Sequence, residues 1–304
     1  MNIDKAFEQL NAIIPPEQLL RDESMKKHTS FRIGGPVDIM VLPSEIEHIQ
    51  TAVDILNKND VPVMVMGNGS NLLVHDKGIR GAIIKISDKY CHSEVIGETI
   101  KAQSGILLSS LSRIALKANL TGLEFASGIP GTLGGGVTMN AGAYGGEIKD
   151  VVEWVSVLDE HGEIAILHKD KLSFEYRTSS IQDSQQVVLE VFMVLKKGNF
   201  EESKAIVADL TRRRQEKQPL NYPSAGSTFK RPAGYYAGKL IQDAGLRGMR
   251  IGDAQVSELH SGFIINLGKA TANDVISLID LIKQRVKEQF GVALHPEVRI
   301  VGQE

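Results

Sequence analysis

Short apolar runs alternate with amphipathic stretches along the chain, and the spacing of the apolar positions changes from one to the next. Ile46, Ile49, Val53 and Leu56 recur at helical spacing and predict a helix over 44–59. Ser44 and Glu47 have the spacing of a capping box at its start. VPVMVM at 61–66 predicts a buried strand, and GAIIKI at 81–86 a second one pairing nearby. Leu107, Leu111, Ile114 and Ala118 share a face of a second helix, 107–119, with Gly122 past its end. VVEWVSVLDEHGEIAIL at 151–167 alternates like two strands around His161-Gly162, and QVVLEVFMVL at 186–195 is another strand. Glu201 to about Glu216 predicts a helix burying Ile206, Val207 and Leu210. Thr271, with Asp274 at the third position, caps a helix that runs to Phe290 and stops at Gly291, and HPEVRIV at 295–301 closes as a short strand. The expected class is α+β, with antiparallel pairing in the middle and a boundary near Gly198-Asn199, where composition and charge both shift.

Two segments break this pattern with glycine. GNGSN at 67–71 interrupts strand-forming residues, and SGIPGTLGGGVTMNAGAYGGE at 127–147 follows the second helix. A dinucleotide-binding turn needs G-x-G-x-x-G opening a helix, but Leu72 holds the last position and strand-like residues follow. AGYYAGKL at 233–240 fails as a P-loop, since three residues separate Gly234 from Gly238 and Leu240 replaces the Ser or Thr. His295-Pro-Glu297 fails as a zinc deaminase signature because two later cysteines are missing. A turn of successive amides without a helix still binds phosphate. On the five residues of GNGSN alone, a plain turn between strands serves equally well. Gly128, Gly131, Gly134, Gly135 and Gly136 add backbone that can approach a ligand closely, which favours a large phosphate-bearing cofactor between the two loops.

Composition narrows the classes. The 304 residues carry a net charge of −3, so no global field favours nucleic acid or a membrane surface. One cysteine, Cys91, excludes an internal disulfide and a multi-cysteine metal site, and a reducing, cytoplasmic setting is expected, with no metal. MNIDKAFEQL lacks the basic and apolar regions of a signal peptide. Phe125–Gly146 is uncharged and long enough to span a bilayer, but its glycines fit a ligand-contacting loop better than a membrane helix. From 196 to 250 there are twelve Lys and Arg against five Asp and Glu. Most of these are expected on solvated helix faces, and a pocket for a polyanionic small molecule is the functional alternative.

GNGSNLLV, SGIPGTLGGGVTMNAGAYGGE, Tyr176-Arg177, AGSTFKRP and HPEVRI, in that order, resemble the UDP-N-acetylenolpyruvoylglucosamine reductase family over about 29–301. The first two motifs also resemble the wider class of FAD domains related to vanillyl-alcohol oxidase and p-cresol methylhydroxylase. The resemblance implies a two-subdomain FAD-binding fold, 1–88 and 89–198, plus a C-terminal α+β substrate domain, 199–304, whose last strand, 295–304, returns toward the active-site region. About twenty residues separate Arg177 from the next helix, which leaves no room for the insertion of the longer subtype and implies the type II form.

The implied cofactor is non-covalent FAD, because the loop itself offers no His or Cys for a flavin bond and His75 lies past it. The implied FAD contacts are Gly67, Asn68, Gly69, Ser70 and Asn71 at the pyrophosphate, and Ser127, Gly128, Ile129, Pro130, Gly131, Gly134 and Asn140 along the rest. The implied reaction serves peptidoglycan precursor synthesis, and through the cell wall serves cell shape and division. Hydride passes from NADPH to FAD N5 and on to the enolpyruvyl ether of UDP-N-acetylglucosamine enolpyruvate, giving UDP-N-acetylmuramate. Ser227 is implied as the proton donor; its hydroxyl is a weak acid, but an enolate-like carbanion is a base strong enough to take that proton. Arg177 is implied to grip the substrate carboxylate, and Glu297, with a raised pKa, to hydrogen-bond it. Lys217 and Arg299, the latter expected on the same strand face as Glu297, are the implied substrate ligands, with Tyr144 and Arg231 as further candidates. The partners expected are small molecules alone, with neither nucleic acid nor membrane insertion.

Overall fold

The computed structural model describes residues 1–160 and 162–304. His161, the centre of the expected hairpin, lies outside them. Its flanks behave as expected: Val152–Leu158 and Ile164–His168 pair antiparallel, with Leu158 opposite Ile164. The chain divides into two compact units. Unit 1 holds Met1–Arg21, Ile39–Asn68 and Gly81–Arg214, and unit 2 holds Asp22–Asp38, Gly69–Arg80 and Gln215–Glu304. Unit 1 therefore continues past Gly198-Asn199 through most of the Phe200–Lys217 helix, and the division also falls inside GNGSN, between Asn68 and Gly69.

Unit 1 has two hydrophobic cores. The first gathers Ala6 and Leu10 of the Ile3–Asn11 helix with Ile49, Ala52, Val53 and Leu56 of the Ile46–Lys58 helix. Both cover the unit 1 portions of a four-stranded sheet whose strands run in the order Leu19–Ser24, Pro36–Val41, Ile79–Lys85, Val63–Met66. Val63–Met66 pairs parallel with Ile79–Lys85, Val63 opposite Ala82, so the two apolar runs do meet. Val63–Met66 is not a buried strand, however. It lies at the sheet edge, where Met66 is buried and Val65 is exposed. Ser44 does not cap the helix either. Its hydroxyl accepts from Gln18 Nε2 at 3.1 Å, and Glu45 stands at the cap without a side-chain bond.

The second core lies on a five-stranded antiparallel sheet in the order Ile164–His168, Val152–Leu158, Val187–Val194, Thr99–Gln103, Ser93–Ile96. Val155, Val191, Met193 and Ile100 pack there with Leu108, Leu111 and Ala115 of the Leu108–Lys117 helix. Leu107 is an exposed cap residue rather than part of that buried face, and Asn119 (φ +56°), not Gly122, takes the left-handed position after the helix. Trp154 stacks on its cross-strand partner Phe192, ring centroids 5.0 Å apart. In the Phe200–Lys217 helix the expected buried face is absent: Ile206 is exposed, Val207 and Leu210 are half-buried, and Ser203 is the buried position. Ser203 is drawn in by Glu124, whose Oε1 accepts from Ser203 Oγ at 2.6 Å and from Thr121 Oγ1 at 2.7 Å, while Oε2 accepts from the Gly122 amide at 2.8 Å.

Unit 2 packs the Ala272–Phe290 helix against a three-stranded sheet, Arg250–Ile251, Ala254–Val256, Ile264–Asn266, with Leu240, Ile241 and Leu294 completing the core. The helix has the expected caps. Thr271 Oγ1 accepts from the Asp274 amide, the Asp274 carboxylate accepts from the Thr271 amide, and Gly291 ends the helix at φ +69°. Asp76 takes two further amides of the first turn, Ala272 N at 2.9 Å and Asn273 N at 3.2 Å, where an anion also offsets the helix dipole.

Burial pushes the Glu124 carboxyl up, but hydrogen bonds from Ser203, Thr121 and the Gly122 amide more than reverse this, so it titrates below its ordinary value. With the folded pKa the lower one, its stabilisation is complete above the unfolded value and is lost as pH falls through the folded value. Glu124→Gln is expected to cost about 1–2 kcal/mol at neutral pH and to flatten the acid limb of stability. Urea unfolding of both proteins at neutral pH and near pH 4 measures the difference.

Candidate functional site

In unit 1 the two glycine segments meet. Asn68 Nδ2 donates to the Pro130 carbonyl at 2.7 Å. A Cβ on Gly67 would stand 2.1 Å from Thr132 Oγ1, so glycine is required there as long as the Thr132 hydroxyl keeps its place. The second segment is itself pinned: Leu108 N donates to Gly131 O, Leu133 N to Ile106 O and Gly134 N to Ser104 O. Among the described residues, no protein group accepts from the amides of Asn68, Gly69, Ser70 and Asn71. Four successive donors around Gly69 (φ +62°) make an anion nest. Ser104 Oγ, beside Gly134, is buried and without a hydrogen-bond partner among the described residues. The nest offers the donors that a diphosphate needs, and in unit 1 the backbone at 127–134 has glycines that allow close approach; each is the kind of group that holds part of FAD.

Arg214 was not singled out from sequence. Asp209 pairs with both Arg212 and Arg213 at 2.7 Å, one turn back on the helix, and the third arginine lies against Gly128, whose Cβ would meet Arg214 Nη1 at 2.9 Å. Burial lowers the Arg214 pKa. The i, i+3 and i+4 spacing of Asp209 to its two partners was the signal in the sequence.

Arg177 also belongs to unit 1. It sits at φ +57° in a two-residue turn closed by Glu175 and Thr178, whose amides and carbonyls pair at 3.1 and 3.4 Å. Its Nη2 donates to Gly142 O at 2.7 Å, and its guanidinium lies 5.0 Å from the Tyr176 ring centroid. Gly142 opens a hairpin, Gly142–Ala143 with Gly146–Glu147, whose loop residues Tyr144 (φ +54°) and Gly145 (φ +93°) both have positive φ, as a two-residue turn demands. The Tyr144 side chain is exposed at that tip. Asn140 is not the FAD contact expected, because it is fully buried and its side chain is engaged within the protein: Nδ2 donates to Glu147 Oε2 at 3.1 Å and to Glu175 O at 3.0 Å, and Oδ1 accepts from the Lys149 amide at 3.0 Å.

In unit 2 the segment Ser227–Lys230 runs between two others. Ser227 bridges Phe263, Thr228 N donates to Gly262 O, and Lys230 N donates to His295 O. Thr228 O accepts from Glu297 N at 2.8 Å, so Ser227 and Glu297 lie on neighbouring backbones. Ser227 is exposed and its neighbours Thr228 and Phe229 are buried, which anchors the segment and leaves the hydroxyl accessible. Asn71 holds Glu297 from the other side: its Nδ2 donates to Glu297 O at 3.0 Å and its carbonyl accepts from Arg299 N at 3.0 Å. Beyond it Leu72–Val74 pairs parallel with Arg299–Val301. The closing strand therefore starts at Arg299, and Glu297 precedes it with a bend at Val298 between them, so the shared strand face expected for the pair does not exist.

Lys217 ends its helix with an exposed side chain. Arg231 lies over the Tyr236 ring at 4.1 Å and donates to Tyr235 O at 3.4 Å. His260, also missed from sequence, accepts from the Gly262 amide through Nδ1 at 3.0 Å and meets the Phe263 ring edge-on; burial lowers its pKa.

Comparison with known proteins agrees with this geometry. Residues 218–301 match the UDP-N-acetylenolpyruvoylglucosamine reductase C-terminal domain, and residues 37–168 match an FAD binding domain. The UDP-N-acetylenolpyruvoylglucosamine reductase of Alkaliphilus oremlandii is 55% identical over 300 residues, 99% of each chain, and that of Alkaliphilus metalliredigens is 52% identical over 303 residues, 100% of each. The crystal structure of the Thermus caldophilus reductase superposes with a TM-score of 0.79 at 34% identity, covering 93% of this chain and 97% of that one. Alkyldihydroxyacetonephosphate synthase, at 15% identity and a TM-score of 0.52 over 99% of this chain and 62% of its own, shares the fold. The fold is thus the expected FAD-binding fold of the vanillyl-alcohol oxidase type with a C-terminal α+β domain.

Gly67→Ala is expected to weaken FAD binding about ten-fold or more, since overpacking by one methyl costs about 1–3 kcal/mol. Thr132→Ala, which removes the atom that the new methyl meets, should restore most of the affinity. Titration of the apoprotein by flavin fluorescence gives both values.

Proposed function

We propose roles for the site residues from one premise: the chain belongs to the UDP-N-acetylenolpyruvoylglucosamine reductase family. It is an FAD-dependent oxidoreductase that reduces UDP-N-acetylglucosamine enolpyruvate in peptidoglycan precursor synthesis. When bound, FAD would supply the hydride chemistry between NADPH and the vinyl carbon remote from the substrate carboxylate. Gly67 and the amides of Asn68, Gly69, Ser70 and Asn71 would hold its diphosphate, and Ser127–Gly131 and Gly134 would line the ring system.

Hydride addition leaves negative charge on the carbon next to the carboxylate. Ser227 gives that carbon its proton, and as an alkoxide regains one from solvent. Arg177 binds the carboxylate with its planar fork, which favours the charge-bearing state over the ground state. Glu297, as the acid, hydrogen-bonds the enolic carboxylate. Lys217 and Arg299 bind the anionic part of the substrate, with Tyr144 and Arg231 beside it. The segment between Arg177 and the Phe200–Lys217 helix carries only the strands Val187–Val194 and Lys196–Lys197 as regular strands, which supports the shorter, type II form. No helix among the described residues is long and apolar enough to cross a membrane. We place the reaction in the cytoplasm, a reducing setting in keeping with the single cysteine, Cys91.

The observation that supports this reading is the hydrogen-bonded pairing of the backbone segments that carry the serine and the acid. Thr228, next to the exposed Ser227, accepts from the amide of Glu297, so both groups ride on one rigid support. Ser227→Ala should leave reduction by NADPH at the parental rate and slow reoxidation by the enolpyruvyl substrate by about 10²–10⁴-fold, the range of a lost general acid. Anaerobic stopped-flow absorbance reads the two steps separately. Reoxidation of the variant at the parental rate would remove Ser227 from the chemistry.

A further inference from the structure

We propose that Asn140 and Glu147 are positioning residues for Arg177, forming a buried hub that fixes where its guanidinium points. The proposal rests on the reading of Arg177 given above and adds two residues that do not touch the substrate.

Arg177 carries a left-handed backbone, which costs a non-glycine residue about 1 kcal/mol or more. Such a conformation persists only where the surroundings impose it. Asn140 reaches the turn itself, since its Nδ2 holds the carbonyl of Glu175, the residue that opens the turn. The other Nδ2 hydrogen goes to Glu147 Oε2, and Oδ1 takes the Lys149 amide. One fully buried amide therefore ties the Arg177 turn to both the closing strand of the hairpin and Lys149, two residues beyond it.

Glu147 faces the guanidinium across Gly142. A Cβ on Gly142 would stand 2.7 Å from Glu147 Cγ and 3.2 Å from Arg177 Nη1, so the two side chains flank the same glycine. Glu147 is fixed in turn. Its amide donates to Asp150 Oδ2 at 2.8 Å, its side chain accepts from the Asp150 amide, and its Oε2 pairs with Lys149 Nζ at 2.7 Å. The hydrogen bond from Lys149 is the largest influence lowering its pKa, and the charge of Arg177 acts in the same direction. With Gly142 O accepting from Nη2, the arginine is held on its backbone side, by its carbonyl partner and by a facing carboxylate.

This network is more than hairpin stabilisation if it acts on one half of the catalytic cycle. In anaerobic stopped-flow with the holoenzyme, Asn140→Ala should keep its FAD content and its rate of reduction by NADPH. It should reoxidise with UDP-N-acetylglucosamine enolpyruvate about 10- to 100-fold more slowly, the scale of an ångström-sized misplacement of a catalytic group. Asn140→Ala combined with Arg177→Lys should be little slower than Arg177→Lys alone, since both remove the same function. Glu147→Gln keeps an acceptor for Asn140 and removes the facing charge; it serves if Asn140→Ala does not fold, and should slow reoxidation alone by about three-fold or more. Equal loss in both half-reactions, or loss of FAD in proportion to activity, would make the hub purely structural and overturn the proposal. A slow Arg177→Lys beside a parental Asn140→Ala would sink the hub alone. Parental reoxidation in Arg177→Lys would sink the reading of Arg177 and the hub with it.

Discussion

Asn71 holds the backbone around Glu297, the proposed acid, in place, and the geometry proposed for the site in unit 2 depends on it. Its side-chain amide takes the Glu297 carbonyl, its own carbonyl takes the Arg299 amide, and the Glu297 amide goes to Thr228. Each bond is worth only about 1 kcal/mol. Together they fix both peptide groups of Glu297 without using its carboxylate. The Asn71 backbone amide at the same time completes the run of donors that begins at Asn68. A loop proposed to bind diphosphate through its amides thus also holds the backbone at Glu297 through a side chain and a carbonyl. Substituting Asn71 therefore disturbs two functions together, whereas substituting Ser70 bears on the nest alone.

The cores explain why so few bonds suffice. Ala225 and Phe229 anchor the serine segment in the core of unit 2, where Leu73 and Val298 are also buried. Leu133, Val137 and Ile148 do the same for the second glycine segment and the hairpin that follows it. Around them the backbone holds three non-glycine residues in the left-handed region, Asn140, Tyr144 and Arg177. Strain of this kind gathers where surrounding packing outweighs it, and in the proposal made above it helps set the direction of the Arg177 fork.

The sequence revealed most where the cause is local. The helix at 272–290 was legible at both ends because Thr271, Asp274 and Gly291 act within a turn of themselves. The first glycine segment was legible as a loop, whereas the second holds the short helix Leu133–Thr138 and a hairpin; the ordered motifs of both pointed to the family and its cofactor. What was missed depended on distant partners. Ser44 has the chemistry of a cap, yet Gln18, 26 residues away, takes its hydroxyl. Ile206 has helical spacing but no core to enter, and Glu124 buries Ser203 instead. Val65 belongs to an apolar run, but its strand lies at a sheet edge. The bond from Arg177 to Gly142 spans 35 residues, and neither spacing nor composition announces it. Asn140 read from sequence as one more polar residue in a flavin loop, and only its burial shows the three bonds that engage it.

The most direct measurement is a single anaerobic turnover of the parent protein, followed by flavin absorbance. NADPH should bleach the flavin, and UDP-N-acetylglucosamine enolpyruvate added afterwards should restore the absorbance rapidly with formation of UDP-N-acetylmuramate. Bleaching that the enolpyruvyl substrate does not reverse would contradict the assigned substrate and the roles given to Arg177, Ser227 and Glu297.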